Sequence, residues 1–371
     1  MSLPPTFQLF TSIRYDPLLL SSPENSRPEL NFLTPSPFYM LAYHRDRMVE
    51  AAQHFDFDLV TARLADGVAL HRELMSGVRK WQERQKEEEK EQGNQDMPLK
   101  LRISFDKTAT MTLDFLPIPP VPLSTLYPTS LDPPSSLAQQ PHPAPAGKKE
   151  FTPSPLTGGA LHLGATDFLP SNTQDTTPPT IPAPPIWTLK IDTHPTPPSP
   201  YTLLKTSERT PYDLSRSRAL PNEEEAASSV HREVVLWNSV REVTEGTLTS
   251  LYFFRGGKWV TPPVGVPSAF PCLTSTSTST STSPTDTNTN TNTTNADEGE
   301  LRTPFPGRWG HSVRSSKVSA GAGGQRGTSR RWALSRGFCM EETVEVRTVE
   351  EGEGVWVSNG VRGFGFGRVV G

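Results

Sequence analysis

Two stretches of this 371-residue chain cannot join a packed core, and they limit what the remainder can build. Residues 273–300 form a Ser-Thr-Asn-Thr tract with too little apolar surface to bury, which reads as a disordered insertion. From Pro117 to Pro185 the chain is dense in Pro, Ser and Thr, as in Pro133-Pro134-Ser135-Ser136 and Thr177-Pro178-Pro179-Thr180. That composition suits a linker or inserted loop with little order. The whole chain holds 39 prolines and is 34% hydrophobic, so the foldable remainder amounts to two modest domains rather than three.

Thirty-six basic and 40 acidic residues leave a net charge of -4, which provides no field favouring nucleic acid or an anionic membrane. The two cysteines, Cys272 and Cys339, are too few for a disulfide framework and fit a reducing compartment. Met1-Ser2-Leu3-Pro4-Pro5 lacks the basic start and apolar run of a secretory signal, and no segment has the roughly 20 apolar residues of a membrane span. A cytoplasmic protein is expected, with partners that are neither nucleic acid nor membrane.

Apolar spacing predicts a mixed α/β chain. A strand is expected over residues 7–15 and a helix over 38–55, where Met40, Leu41, Tyr43, Met48, Ala51, Ala52 and Phe55 recur at three- and four-residue spacings. A second helix is expected over about 57–91, ending in a charge run that reads as a solvated helix end. Leu99 to Leu116 reads as a hairpin turning at Asp106-Lys107. These elements make a small α/β domain, 1–116, followed by the 117–185 linker. Residues 186–200 are a strand and a proline-broken joint, and 201–371 a larger domain interrupted by 273–300. Within it strands are expected at Val234 to Trp237 and Leu251 to Phe254, with a Gly256-Gly257 turn into a further strand at Trp259 to Thr261. A helix starts near Thr328 and stops at Gly337, and the chain ends in strand, turn and strand.

The chemistry gathers around Lys205, read here as lying on a strand. Preceded by Tyr201, Leu203 and Leu204, its ammonium sits near a dry surface, which lowers an amine's pKa toward the range where it attacks carbonyls. Taken alone, such a lysine is more often a snorkelling strand-end residue. Glu245 on a neighbouring strand could hold a pyridine nitrogen, and Gly327-Thr328 at a helix start offers N–H groups to a phosphate. Those are the handles that pyridoxal phosphate needs. The set calls for no metal.

In order along the chain, these pieces resemble the class IV aminotransferases, and among them the 4-amino-4-deoxychorismate lyases of the extended fungal type. The resemblance rests on Lys205-Thr206-Ser207-Glu208-Arg209 with Tyr212-Asp213, on Glu242-Val243-Thr244-Glu245-Gly246-Thr247, and on Trp259-Val260-Thr261-Pro262-Pro263. It continues in Gly327-Thr328-Ser329-Arg330-Arg331-Trp332-Ala333-Leu334 and Val355-Trp356-Val357-Ser358-Asn359-Gly360-Val361-Arg362-Gly363. Phe38-Tyr39-Met40-Leu41 with His44-Arg45-Asp46-Arg47-Met48 is similar to the family's first-domain helix. Ser250 departs from the pattern, which usually has Asn there, and the stretch between Thr261 and Gly327 is longer than usual.

What the resemblance implies is a two-domain fold-type IV enzyme, with a small α/β domain and a larger pseudo-barrel domain, assembled as a homodimer. Lys205 would link covalently to the cofactor, Glu245 pair with its ring nitrogen, and Arg47 with Gly327-Thr328 hold its phosphate. For Tyr212 two readings stand, a partner of the cofactor's phenolic oxygen or a packed aromatic. For Arg47 the alternative is a surface helix arginine, since Arg45 lies two positions away and could be mistaken for it, and Thr261 reads as structural. Arg14 and Arg362 are the candidates for the carboxylates of a small-molecule substrate. The activity implied is release of pyruvate from 4-amino-4-deoxychorismate to leave 4-aminobenzoate, a step of folate biosynthesis. A branched-chain or D-amino-acid transaminase is the rival enzyme, and a non-catalytic relic with interaction tracts the rival from another class.

Overall fold

The structure is a computed structural model that describes residues 7–88, 97–133, 186–221, 231–264 and 323–371. The tract 273–300, Cys272 and most of the expected linker (134–185) lie outside the described residues.

A small antiparallel sheet is made by β1 (Leu9–Tyr15), β2 (Leu99–Phe105) and β3 (Met111–Pro117), in the order β1-β2-β3. Alternation sorts its two faces. Leu9 and Ile13 with Leu101 and Ile103 enter a core shared with three helices, α1 (Leu41–His54), α2 (Asp58–Leu64) and α3 (Gly67–Glu88). The opposite face pairs Phe10 with Ser104, Ser12 with Arg102 and Arg14 with Lys100. That face looks toward the second sheet.

Two helix expectations need correction. The helix expected over 57–91 is two helices, because the side chain of Asp66 accepts from Val68 N and Ala69 N at 3.0 and 2.9 Å and starts α3 afresh. The helix expected from 38 begins at Leu41. Met40 has φ 57° and no side-chain cap, and the missing acceptor comes from Asn31 Oδ1, 3.3 Å from Leu41 N.

An eight-stranded sheet forms the larger body. It contains β4 (Ile186–Ile191), β5 (His231–Trp237), β6 (Val243–Gly246), β7 (Ser250–Arg255), β8 (Lys258–Thr261), β9 (Met340–Glu341), β10 (Gly354–Asn359) and β11 (Gly363–Val370). Their order is β6-β5-β4-β11-β10-β7-β8-β9. The sheet curls, because residues after β9 return to its far edge. Val243 N donates to Val344 O at 2.7 Å and Val346 N to Arg241 O at 2.8 Å, joining both edges into a half-barrel. Leu251, Phe253, Val355 and Val357 fill its inside, while Tyr252 and Trp356 face outward against helix α7 (Thr328–Ser335) and a second core. Burial on both faces explains why these strands are almost uniformly apolar.

This second core redraws two expected boundaries. Residues 117–133 do not behave as linker: the short helix α4 (Leu123–Leu126), Tyr127 and Leu131 pack in the larger body, and Trp356 Nε1 donates to Leu131 O at 2.6 Å. Likewise β4 is an interior strand of the large sheet, paired with β5 and β11 on either side, and not part of a joint. Among the described residues no helix is long and apolar enough to cross a membrane.

Candidate active site

Between the two sheets lies a cavity of about 510 Å³. Lys205 reaches it from an irregular segment rather than from the expected strand. Ser199-Pro200 start a single turn, α5 (Pro200–Leu203), closed by a capping box between Ser199 and Thr202, and the chain after it makes only an isolated antiparallel bridge, Thr206 to Leu9. Leu203 and Leu204 then enter the small domain's core. Immediately after them Phe10 N donates to Lys205 O at 3.2 Å and Ser207 N to Gln8 O at 2.8 Å. The lysine is thus fixed along β1 by the backbone bonds on either side of it.

The ammonium lies 5.3 Å from the centre of the Phe10 ring. Burial lowers its pKa from 10.5 to about 7, and the positive charges of Arg47, Arg209 and Lys100 act in the same direction against Glu245. Near neutral pH a substantial share of Lys205 is therefore free amine.

Glu245 is buried at the end of β6 and moves the opposite way, its pKa raised from 4.5 to about 7 by burial. Its two oxygens are engaged separately. Tyr212 Oη lies 2.8 Å from Oε1, and Gln325 N donates to Oε2 at 3.1 Å. Tyr212 comes from α6 (Thr210–Ala219), a helix that periodicity does not announce because its buried side chains are only Tyr212, Ser215 and Ala219. The Tyr212 hydroxyl also reaches Thr202 O at 3.0 Å and accepts from Gln325 Nε2 at 2.8 Å. These partners tie Tyr212 to Glu245 and the joint.

Arg47, Gly327 and Thr328 all line the cavity. Arg47 Nη2 donates to Thr11 Oγ1 at 2.6 Å, while its Nε is buried without a hydrogen-bond partner. Arg47 shares the cavity lining with the start of α7, whose first N–H groups have no partner within the helix. Gly327 is needed there for closeness rather than for its φ of -62°: a Cβ would stand 2.3 Å from Ser250 Oγ. An anion fits between these groups. Arg45 turns away, its Nε donating to Asp46 and its guanidinium lying over Phe32.

The two candidate substrate arginines part company. Arg362 lines the cavity at the turn between β10 and β11, over Trp187. Arg14, by contrast, is buried and ion-paired with Asp16 at 2.7 Å, its remaining N–H groups directed at Val361 O and Pro119 O. It does not line the cavity, so its work is to hold the 359–362 turn. Thr261 accepts from Arg330 at 3.3 Å and is structural.

The cavity's charge as a whole is not visible in the sequence. Arg47, Lys100, Arg102, Lys205, Arg209, Arg216 and Arg362 line it, against Asp213 and Glu245 alone. Burial lowers the pKa of Lys100, and Arg362, Arg102 and Arg209 add to the shift in that order, so these cations share one space. Alternation in Leu99-Lys100-Leu101-Arg102 was a visible signal. It marks a polar face without showing that another domain covers it.

No family model and no curated protein matches the chain. Solved structures do. An inferred amino-acid aminotransferase of Mesorhizobium loti aligns with a TM-score of 0.48 and 15% identity, covering 98% of this chain and 100% of that one. The 4-amino-4-deoxychorismate lyase of Pseudomonas aeruginosa gives 0.45 and 13% over 100% and 88%. A hypothetical aminotransferase of Mycobacterium tuberculosis in its PLP-bound form gives 0.41 and 12% over 98% and 80%. Their TM-scores all lie below 0.5, so the functional reading rests on this chain's own residues.

Proposed function

We propose that the protein is a pyridoxal-phosphate enzyme of the class IV aminotransferase type, and that it acts as a 4-amino-4-deoxychorismate lyase in the cytoplasm as a homodimer. The residues present fit the cofactor: an amine at Lys205, a carboxylate at Glu245, and the unsatisfied Arg47 Nε beside the α7 N-terminus. When bound, pyridoxal phosphate supplies a carbonyl that condenses with amines and a ring that accepts the electrons released on deprotonation.

The chain's own groups then divide the work. Arg47 and the first turn of α7 bind the phosphate, and Glu245 holds charge or proton at its oxygens to suit a ring nitrogen. Lys205 Nζ, as the free amine, takes the proton from the carbon bearing the substrate amine and returns one to the departing enolpyruvyl group. Positioning is the main requirement, because aromatisation of the product drives the reaction.

The observation that carries the lyase reading over the transaminase is the charge of the cavity. Lys100, Arg102, Arg209 and Arg362 line it in addition to Arg47 and Lys205. A substrate with two carboxylates uses that excess; a branched-chain amino acid would leave most of it facing a single carboxylate. Supplying 4-amino-4-deoxychorismate to the purified protein with pyridoxal phosphate should yield 4-aminobenzoate and pyruvate in equal amounts. Branched-chain or D-amino acids with 2-oxoglutarate are the competing assays, and turnover there alone would replace the lyase by the transaminase. Failure of borohydride to fix the cofactor to Lys205 would remove both.

A further inference from the structure

His44 is wholly buried where β1, α1, α7 and the 359–362 turn meet, and the reading above gives it no task. Burial, helped by the charges of Arg47 and Lys205, holds its pKa well below 6.5, so the ring is neutral and carries a single proton. Two neighbours decide which nitrogen has it.

Thr11 Oγ1 lies 2.7 Å from His44 Nδ1 and accepts from Arg47 Nη2 at 2.6 Å. The buried Thr11 hydroxyl has no acceptor for its own proton among the described residues except Nδ1. Arg47 Nη2 itself stands 3.5 Å from Nδ1, and a guanidinium N–H facing that nitrogen requires a lone pair there. Both contacts place the imidazole proton on Nε2, which faces Thr328 Oγ1 at 3.4 Å. With Nε2–H donating to it, Thr328 cannot donate back. Its hydroxyl proton turns to the cavity that Thr328 lines, since no other acceptor for it is present among the described residues.

We propose that His44 is a positioning residue: a one-way chain of hydrogen bonds, Arg47 to Thr11 to His44 to Thr328, aims the Thr328 hydroxyl proton at a phosphate group seated against α7. The inference rests on the cofactor reading only for the identity of that phosphate. With the opposite tautomer Thr328 would donate to Nε2 and show a lone pair to a ligand that has only acceptors. Gly360 protects the arrangement. A Cβ there would stand 2.5 Å from His44 Nε2 and 2.7 Å from Thr328 Oγ1, so glycine alone lets the turn close over the contact and keep water from it.

The test uses the full chain and two readouts that do not depend on turnover. Nitrogen-15 spectra of histidine-labelled protein should show His44 with Nε2 protonated and Nδ1 bare across about pH 6 to 8. Titration with inorganic phosphate should show Thr328→Ser within about twofold of the parent and Thr328→Val about 10-fold weaker, the loss of one hydrogen bond to a charged group, while His44→Ala, which frees the hydroxyl without removing it, weakens binding by less. The double variant should be no weaker than Thr328→Val alone. A protonated Nδ1, an imidazolium at pH 7, undiminished phosphate affinity in Thr328→Val, or no phosphate binding by the parent overturns the proposal. If His44→Ala does not fold, the Thr328 pair and the spectrum still decide. Phosphate binding with the stated tautomer but no cofactor bound at Lys205 would sink the enzyme reading and leave the relay standing.

Discussion

Tyr212 Oη stands 2.8 Å from Glu245 Oε1 in a buried site, with Thr202 O a second acceptor at 3.0 Å for the same single hydroxyl proton. The carboxylate that faces the cavity is therefore tuned by a phenol whose proton has two places to go. Donation to Oε1 lowers the Glu245 pKa against the upward push of burial. Tyr212→Phe removes that donor and should carry the Glu245 inflection above about 7, read by carbon-13 titration of the carboxyl group. An unchanged or lower inflection would show that the hydroxyl donates to Thr202 throughout.

Lys205 and Glu245 bend the pH dependence of stability in opposite senses. Between about 4.5 and 7 the folded chain holds a proton on Glu245 that the unfolded chain has lost, so stability falls as pH rises. Between about 7 and 10.5 the unfolded chain holds a proton that folded Lys205 has released, so stability rises. Without cofactor the pair contributes a minimum near neutral pH. Relative to the parent, Glu245→Gln should flatten the acid limb and Lys205→Met the alkaline limb in urea titrations across pH.

Gly327 and Ser250 should behave as a matched pair. Gly327→Ala puts a methyl group 2.3 Å from Ser250 Oγ, and relief requires the start of α7 to move. Phosphate affinity should drop about 10-fold or more, as it does when one anion contact is misplaced. Adding Ser250→Ala removes the clashing oxygen and should restore most of it. Equal affinity of the single and double variants would mean that the helix start tolerates the shift.

Arg362 and Arg14 were equal candidates by sequence and should now separate. Arg362→Met removes a cation from the cavity and should raise KM for 4-amino-4-deoxychorismate about 10-fold or more with less effect on kcat. Arg14→Met instead leaves buried Asp16 unpaired and should lower stability by about 3–5 kcal/mol in denaturant. A KM effect from Arg14→Met with unchanged stability would return it to the substrate site.

Arg330 links three segments. It bonds Thr261 Oγ1 at 3.3 Å, Pro262 O at 2.9 Å and the carboxylate of Glu341, so β8, α7 and β9 share one buried cation. Both members of the pair are buried, so Arg330→Met should destabilise by about 3–5 kcal/mol in a urea titration, and weaken phosphate binding by loosening α7. Arg330→Met with Glu341→Leu should recover part of the loss.

Much of the site was legible because short-range rules govern it. Gly327-Thr328 begins α7 as expected, Gly337 ends it at φ 71°, and Glu245 lies on a strand end. Lys205 was singled out by its apolar neighbours, and these do pack in the small domain's core. What was misread concerned partners distant in sequence. Arg14 looked free until Val361 and Pro119 closed around it and left its charge to the neighbouring Asp16. Residues 117–133 read as linker because their prolines dominate, yet Leu126, Tyr127 and Leu131 find a core made by α7 and the large sheet.

By itself the sequence determined which segments can be strands or helices and which residue types carry the chemistry, since period and side-chain type are local properties. Only the tertiary structure decided what they do. Burial between two sheets moves Lys205 and Glu245 toward each other in pKa, and closure of one domain over the polar face of β2 turns Lys100 and Arg102 from surface charges into the lining of a cavity. The physical reason is that desolvation and charge density depend on what stands opposite a residue, and its neighbours in the chain do not specify that.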